Sequence, residues 1–229
     1  MLSACIALGL AIVGALLTWT ALGRPSVPEP APAESVEVPS ERGTPSTQPT
    51  PVSERSSART SRRVVPDRIT GRVLPESDPV SVAIPGIGAR SLLVRLGLDA
   101  RGELEVPQDP AQAGWYTGGA APGALGPAVI AGHVTWNGAP AVFYRLGSMR
   151  PGEEVTVSRS DGKTAVFTVT RVARFPKSRF PTKAVYGAID HAGLRLITCG
   201  GTYDASRHRY LDNVVVFANL SAVHRSHRR

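Results

Sequence analysis

Proline is spread so unevenly along this chain that it fixes where a core can form. Eleven of the twenty prolines lie between Pro25 and Pro79, among Ser, Thr, Glu and Arg with no apolar period. Such a stretch cannot bury enough apolar surface to order itself, and it reads as an extended, mobile spacer. From Val80 the texture changes. Val80, Val82 and Ile84 alternate with Ser81 and Ala83, and Pro85-Gly86-Ile87-Gly88 is a turn. Leu92-Leu93-Val94 and Leu96 follow, then a turn at Asp99-Ala100-Arg101-Gly102 before Leu104 and Val106. Ala128–Ala131, Leu194–Thr198 and Val214–Ala218 are short buried strands. Val155–Val157 and Ala165–Val169 flank Ser160-Asp161-Gly162-Lys163, where Asp-Gly signals a hairpin. Helical periodicity is weak; Pro140–Leu146 is the best candidate, for one or two turns. Many short strands with Gly and Pro turns imply a mostly β domain, a closed barrel or a sandwich. A domain of this size buries about 70% of its unfolded surface and needs no disulfide or metal to fold.

The ends of the chain are of other kinds. Leu2 to Leu22 carries no charged side chain, enough for a helix across ~30 Å of hydrocarbon. Residues 1–22 are therefore read as a transmembrane anchor, 23–78 as a disordered linker, 79–220 as the folded domain and 221–229 as a basic tail. Arg24 follows the apolar segment, which by the positive-inside rule alone would place the domain in the cytoplasm. Leu2-Ser3-Ala4-Cys5 resembles a lipoprotein box but comes too early, so Cys5 reads as a helix residue facing lipid. The net charge of +8 gathers at Arg55, Arg59, Arg62, Arg63, Arg68 and Arg72 and in the tail. No aromatics are interleaved with these arginines, which argues against nucleic acid and for an anionic membrane or wall surface.

Cys5 and Cys199 are the only cysteines, and the spacer between them makes pairing non-specific. Cys199 is thus read as a free thiol, which in an exported protein needs an explanation. It ends the run Leu194-Arg195-Leu196-Ile197-Thr198 and opens a glycine-rich segment, Gly200-Gly201, as a nucleophile on a rigid support does. A thiol attacks as its thiolate and needs a basic or cationic neighbour. His224 and His227 lie in the basic tail and His191 in a turn, all read as solvated, while His208 belongs to a basic loop cluster. His133 differs: it follows Gly132 at the end of a buried strand. Acyl transfer also needs a donor for the developing oxyanion, and Arg207 and Arg209 compete for that role, with Arg209 nearer the last strand. Absence of C-x-x-C excludes thioredoxin-like and zinc-ribbon chemistry. Glu103, Glu105, Asp109, Glu153 and Glu154 are scattered, so no calcium site and no cofactor is expected.

Ala131-Gly132-His133-Val134, Leu196-Ile197-Thr198-Cys199-Gly200-Gly201 and Arg209-Tyr210-Leu211-Asp212-Asn213-Val214-Val215-Val216 together resemble the sortases, and among them the actinobacterial class E/F group. The resemblance spans about Val80 to Leu220. It implies a closed eight-stranded β-barrel with one or two short helices, held outside the cell by a single-pass membrane anchor, against the charge-based orientation. It implies cleavage of a C-terminal LPXTG-type sorting signal between Thr and Gly, through a thioacyl-enzyme passed to an amine such as a peptidoglycan precursor or a pilin lysine. Cys199 would be the nucleophile, His133 the proton donor and acceptor, and Arg209 the oxyanion arginine. Leu211 stands where a basic residue can fall in that group, so Arg207 remains a competitor. Two other readings of the residues are a cysteine hydrolase without transfer and a non-catalytic anchored barrel with an inert Cys199.

Overall fold

The computed structural model describes residues 27–28 and 70–225. The anchor, most of the spacer, Cys5 and the end of the tail with His227 lie outside the described residues. Among the described residues there are ten strands: β1 (Pro79–Ile84), β2 (Ala89–Leu96), β3 (Ala113–Tyr116), β4 (Gly126–Gly132), β5 (Thr135–Trp136), β6 (Ala139–Pro140), β7 (Glu154–Arg159), β8 (Lys163–Pro176), β9 (Ala192–Asp204) and β10 (Arg209–Arg225). A short α-helix, α1 (Thr182–Tyr186), lies between β8 and β9. Eight strands close a barrel in the order β1-β2-β3-β4-β9-β10-β8-β7, and β5-β6 form a separate ribbon. The pairs β2/β3 and β4/β9 are parallel; the other barrel pairs are antiparallel. Among the described residues no helix is long and apolar enough to cross a membrane.

Two layers of apolar side chains explain why β4 and the first half of β9 read as continuous runs. Ala128, Ile130, Leu194, Leu196 and Val216 face the barrel interior with Phe143, Leu146, Val155 and Phe167. Val129, Ile197, Val215 and Phe217 face outward under Val185 of α1. Strands covered on both faces need apolar residues at both parities. The hairpin at Ser160–Lys163 forms as expected, with Gly162 at φ 72° and its N–H donating to Arg159 O. Leu74, in the segment read as linker, lies against the core, and its N–H donates to Gly123 O at 2.8 Å.

Two expectations need correction. Pro140–Leu146 is not an α-helix. It begins in β6, passes through turns and ends in a 3-10 turn, Leu146–Ser148. Its amides are drawn elsewhere: Ala141 N–H to Val134 O, Val142 N–H to Pro110 O and Phe143 N–H to His133 O. Nor does Cys199 end its strand. β9 continues to Asp204 and turns through residues 205–208 into β10. The two glycines serve close pairing there. A Cβ on Gly200 would meet Val214 Cγ2 at 2.8 Å. Gly201, at φ 71°, sits in a bulge where the register shifts between Tyr210 and Asp212, as a left-handed bulge glycine does.

Candidate active site

The β4/β9 pair brings His133 and Cys199 to one place. From Gly126↔Ala192 to Ala131↔Ile197 every pair in this parallel ladder is separated by 66 residues, and so are His133 and Cys199. They hold equivalent positions two residues past the last pair. Thr198, buried just before Cys199, donates its hydroxyl to Gly132 O at 2.8 Å and ties the end of β4 to β9. Phe143, fully buried, donates its N–H to His133 O at 2.9 Å and fixes the backbone there.

The His133 ring is half-buried. Its Nε2 lies 2.8 Å from Pro107 O. A carbonyl only accepts, so Nε2 carries the proton and Nδ1 is left for proton transfer. The ring meets Trp136 edge-on at 4.9 Å. Trp136, partly exposed, also lines an adjoining cavity of about 520 Å³ with Ile87, Pro110, Pro140 and Tyr144.

Cys199 is free and half-buried. Its cross-strand neighbour is Asn213. Lys177, in a 3-10 turn just after β8, donates from Nζ to Cys199 Sγ at 3.4 Å. No reading of the sequence singled out Lys177. It lies 22 residues from Cys199, and only the order β8-β10-β9 brings the two together.

The two competing arginines separate. Arg207 lies in the 205–208 turn and folds back on Asp204, Nη1 to Oδ2 at 3.4 Å. The Ser206 hydroxyl, with the Ser206 and Arg207 amides and the Arg207 charge, holds the Asp204 carboxyl below its ordinary range. Arg209 opens β10 opposite Asp204 and is exposed. By strand alternation it shares a face with Leu211 and Asn213, and so with Cys199. Tyr210, on the other face, joins the β5 ribbon through its hydroxyl, 2.9 Å from Thr135 Oγ1.

His191 lies in the bend before β9 as read, but its partly exposed ring is held on both nitrogens rather than free in solvent. Its Nδ1 contacts Asp190 at 2.8 Å and its Nε2 Asn219 Oδ1 at 3.0 Å, at the end of β9 away from Cys199. His224 pairs with Thr164 at that same far end. Among the described residues no three of His, Cys, Asp and Glu gather as metal ligands.

A family model described as a sortase domain matches residues 82–221. Sortase A from Listeria monocytogenes is 16% identical with a TM-score of 0.49, the match covering 66% of this chain and 91% of that one. Sortase A from Corynebacterium diphtheriae is 20% identical with a TM-score of 0.49, covering 64% and 62%. Sortase C1 from Streptococcus agalactiae is 17% identical with a TM-score of 0.49, covering 62% and 66%. No curated protein sequence matches.

Proposed function

The chain belongs to the sortase family of cysteine transpeptidases, and we propose that it cleaves an LPXTG-type sorting signal between Thr and Gly and transfers the acyl group to an amine of the cell wall or a pilin. The observation that carries this reading is the shared register of His133 and Cys199 just past the end of the β4/β9 ladder, where Thr198 ties the two strands together. Cys199 passes its thiol proton to His133 Nδ1 and attacks the Thr carbonyl as the thiolate, forming the C–S bond and placing the carbonyl pair on oxygen. His133 gives a proton to the departing Gly nitrogen as the C–N bond breaks. The thioacyl-enzyme then meets an incoming amine, which loses its proton to His133 as the new amide forms and the C–S bond breaks, its electron pair returning to Cys199 sulfur. Arg209 orients the substrate carbonyl from the same face of the sheet. The subfamily is class E/F, on the residues of the three motifs. The enzyme is anchored by residues 1–22 in the cell membrane as a single pass, with the barrel outside.

The test is incubation of the full-length chain in detergent with a panel of Leu-Pro-x-Thr-Gly peptides and an amine. Mass spectrometry should find cleavage after Thr and a ligated product, both missing with Cys199→Ala. Release of free acid alone, at every amine concentration, would instead establish a hydrolase. No product from any peptide would reject the substrate assignment.

A further inference from the structure

The cationic side chains around the β9–β10 pair are not equivalent. Arg207 is turned back on Asp204, and Arg174 Nε lies 3.4 Å from Asp212 Oδ2. Arg209 is four residues along β10 from Asn213, the residue opposite Cys199; that is ~13 Å of strand at ~3.3 Å per residue. Leu211 lies between them with an exposed apolar side chain. Lys177 reaches the sulfur itself, with Nζ 3.4 Å from Sγ. Its place is set by the barrel. Pro176, the last residue of β8, is cross-strand from Asp212, and Asp212 is cross-strand from Gly200. The residue after Pro176 therefore emerges over the rim beside Cys199.

We infer that Lys177 is a catalytic residue of this site, the fixed positive charge that holds the Cys199 thiolate and then the oxyanion formed next to it. A charge-assisted hydrogen bond from an ammonium stabilises a thiolate. When the C–S bond forms, the negative charge moves from sulfur to the carbonyl oxygen. A compact ammonium with three rotatable donors on a flexible stem can follow that shift. The oxyanion pair then re-forms the carbonyl as the C–N bond breaks, and the leaving nitrogen takes its proton from His133. Lys177 keeps its protons throughout. Arg209 is left to orient the peptide further along the strand. The inference rests on the reading of Cys199 as the nucleophile.

The test measures charge at the sulfur without any peptide. Cys199 in the full chain is alkylated separately with anionic iodoacetate and neutral iodoacetamide, and the Cys199 peptide is followed by mass spectrometry. The ratio of the two rates cancels the fraction of thiolate and leaves the local field. Lys177→Met should lower that ratio about fivefold, the effect of one unit charge ~4 Å away in water. Lys177→Arg should restore it. Transfer of a cleavable peptide should fall ~10²-fold in Lys177→Met, the scale for losing an oxyanion donor. Lys177 is exposed, so the melting temperature should not change. An unchanged alkylation ratio in Lys177→Met overturns the inference. So does a hydroxylamine-resistant acyl group found on Lys177, which would make it an acceptor amine instead of a fixed charge. If the ratio falls while the wild-type chain cleaves no peptide, the transpeptidase reading fails and the charge at the sulfur stands.

Discussion

The two ends of the barrel both carry basic side chains, but they treat them in opposite ways. At the end away from Cys199, Arg159 is 3% exposed, and its guanidinium is fully engaged. Nε and Nη2 bond Asp161 at 3.3 and 3.2 Å, Nη1 donates to Pro122 O, and Nη2 also donates to Pro75 O at 2.6 Å. That cluster clips residues 70–78 to the β7–β8 hairpin. At the other end Lys177 and Arg209 are exposed, and Cys199 and His133 are half-buried. Buried donors with every partner in place contribute to stability, whereas donors left facing a rim are available to a substrate. The same residue types therefore are sealed by protein partners at one end and left open to solvent at the other.

His133→Ala should give the largest effect and fall almost wholly on activity. Losing the general acid and base is expected to lower transfer ~10³-fold, with a loss of stability of only about 1 kcal/mol from the Pro107 hydrogen bond. Coupled thermal melts and transfer assays check both halves; a large loss of stability would blur the distinction between the two ends. Arg159→Met should do the reverse. It strips donors from two carbonyls and from Asp161, at roughly 1–3 kcal/mol for each buried group left unsatisfied. A net loss of about 3 kcal/mol should appear in denaturant unfolding, with transfer per folded molecule retained. Arg209→Ala should come next, raising KM about tenfold, the scale of one charged hydrogen bond, with little change in kcat. If kcat falls ~10²-fold instead, Arg209 is the oxyanion donor and Lys177 is displaced from that role.

Much of the barrel was legible in the sequence. The alternation Val80–Val82–Ile84, the Asp161-Gly162 turn and the Val214–Ala218 run became β1, the β7–β8 hairpin and β10. The ribbon β5-β6 and helix α1 are too short for periodicity to register, at two, two and five residues. Pro140–Leu146 carries a helical spacing because Phe143 and Leu146 both point to the core, yet its first amides bond to loop carbonyls at Pro110, His133 and Val134. His133 could be singled out as a strand-end residue and Cys199 as the lone thiol before two glycines, although β9 runs on past it to Asp204. Their interval of 66 acquires meaning only once β4 and β9 are known to run parallel in that register. Lys177 had no local signal at all, since its nearness to Cys199 is a product of strand order.

The smallest expected effect is a pH dependence confined to the Arg159 end. The Arg159 hydrogen bonds, helped by the Lys163 amide and ammonium, hold the Asp161 carboxyl down to about 2 from an ordinary 3.8. A carboxyl depressed in the folded state binds its proton more readily in the unfolded one. Its contribution is therefore complete above 3.8 and is lost as the pH falls from 3.8 through about 2. Asp161→Asn keeps an acceptor for Arg159 Nε and for the Lys163 amide but has no proton to take up. Melting temperatures of the two proteins, followed from about pH 5 to pH 2, should differ most at the upper limit and converge toward the lower one. Parallel curves would mean that Asp161 is not the titrating group of this cluster. The alkylation ratio at Cys199 should be the same in both proteins, because Asp161 and Cys199 lie at opposite ends of the barrel.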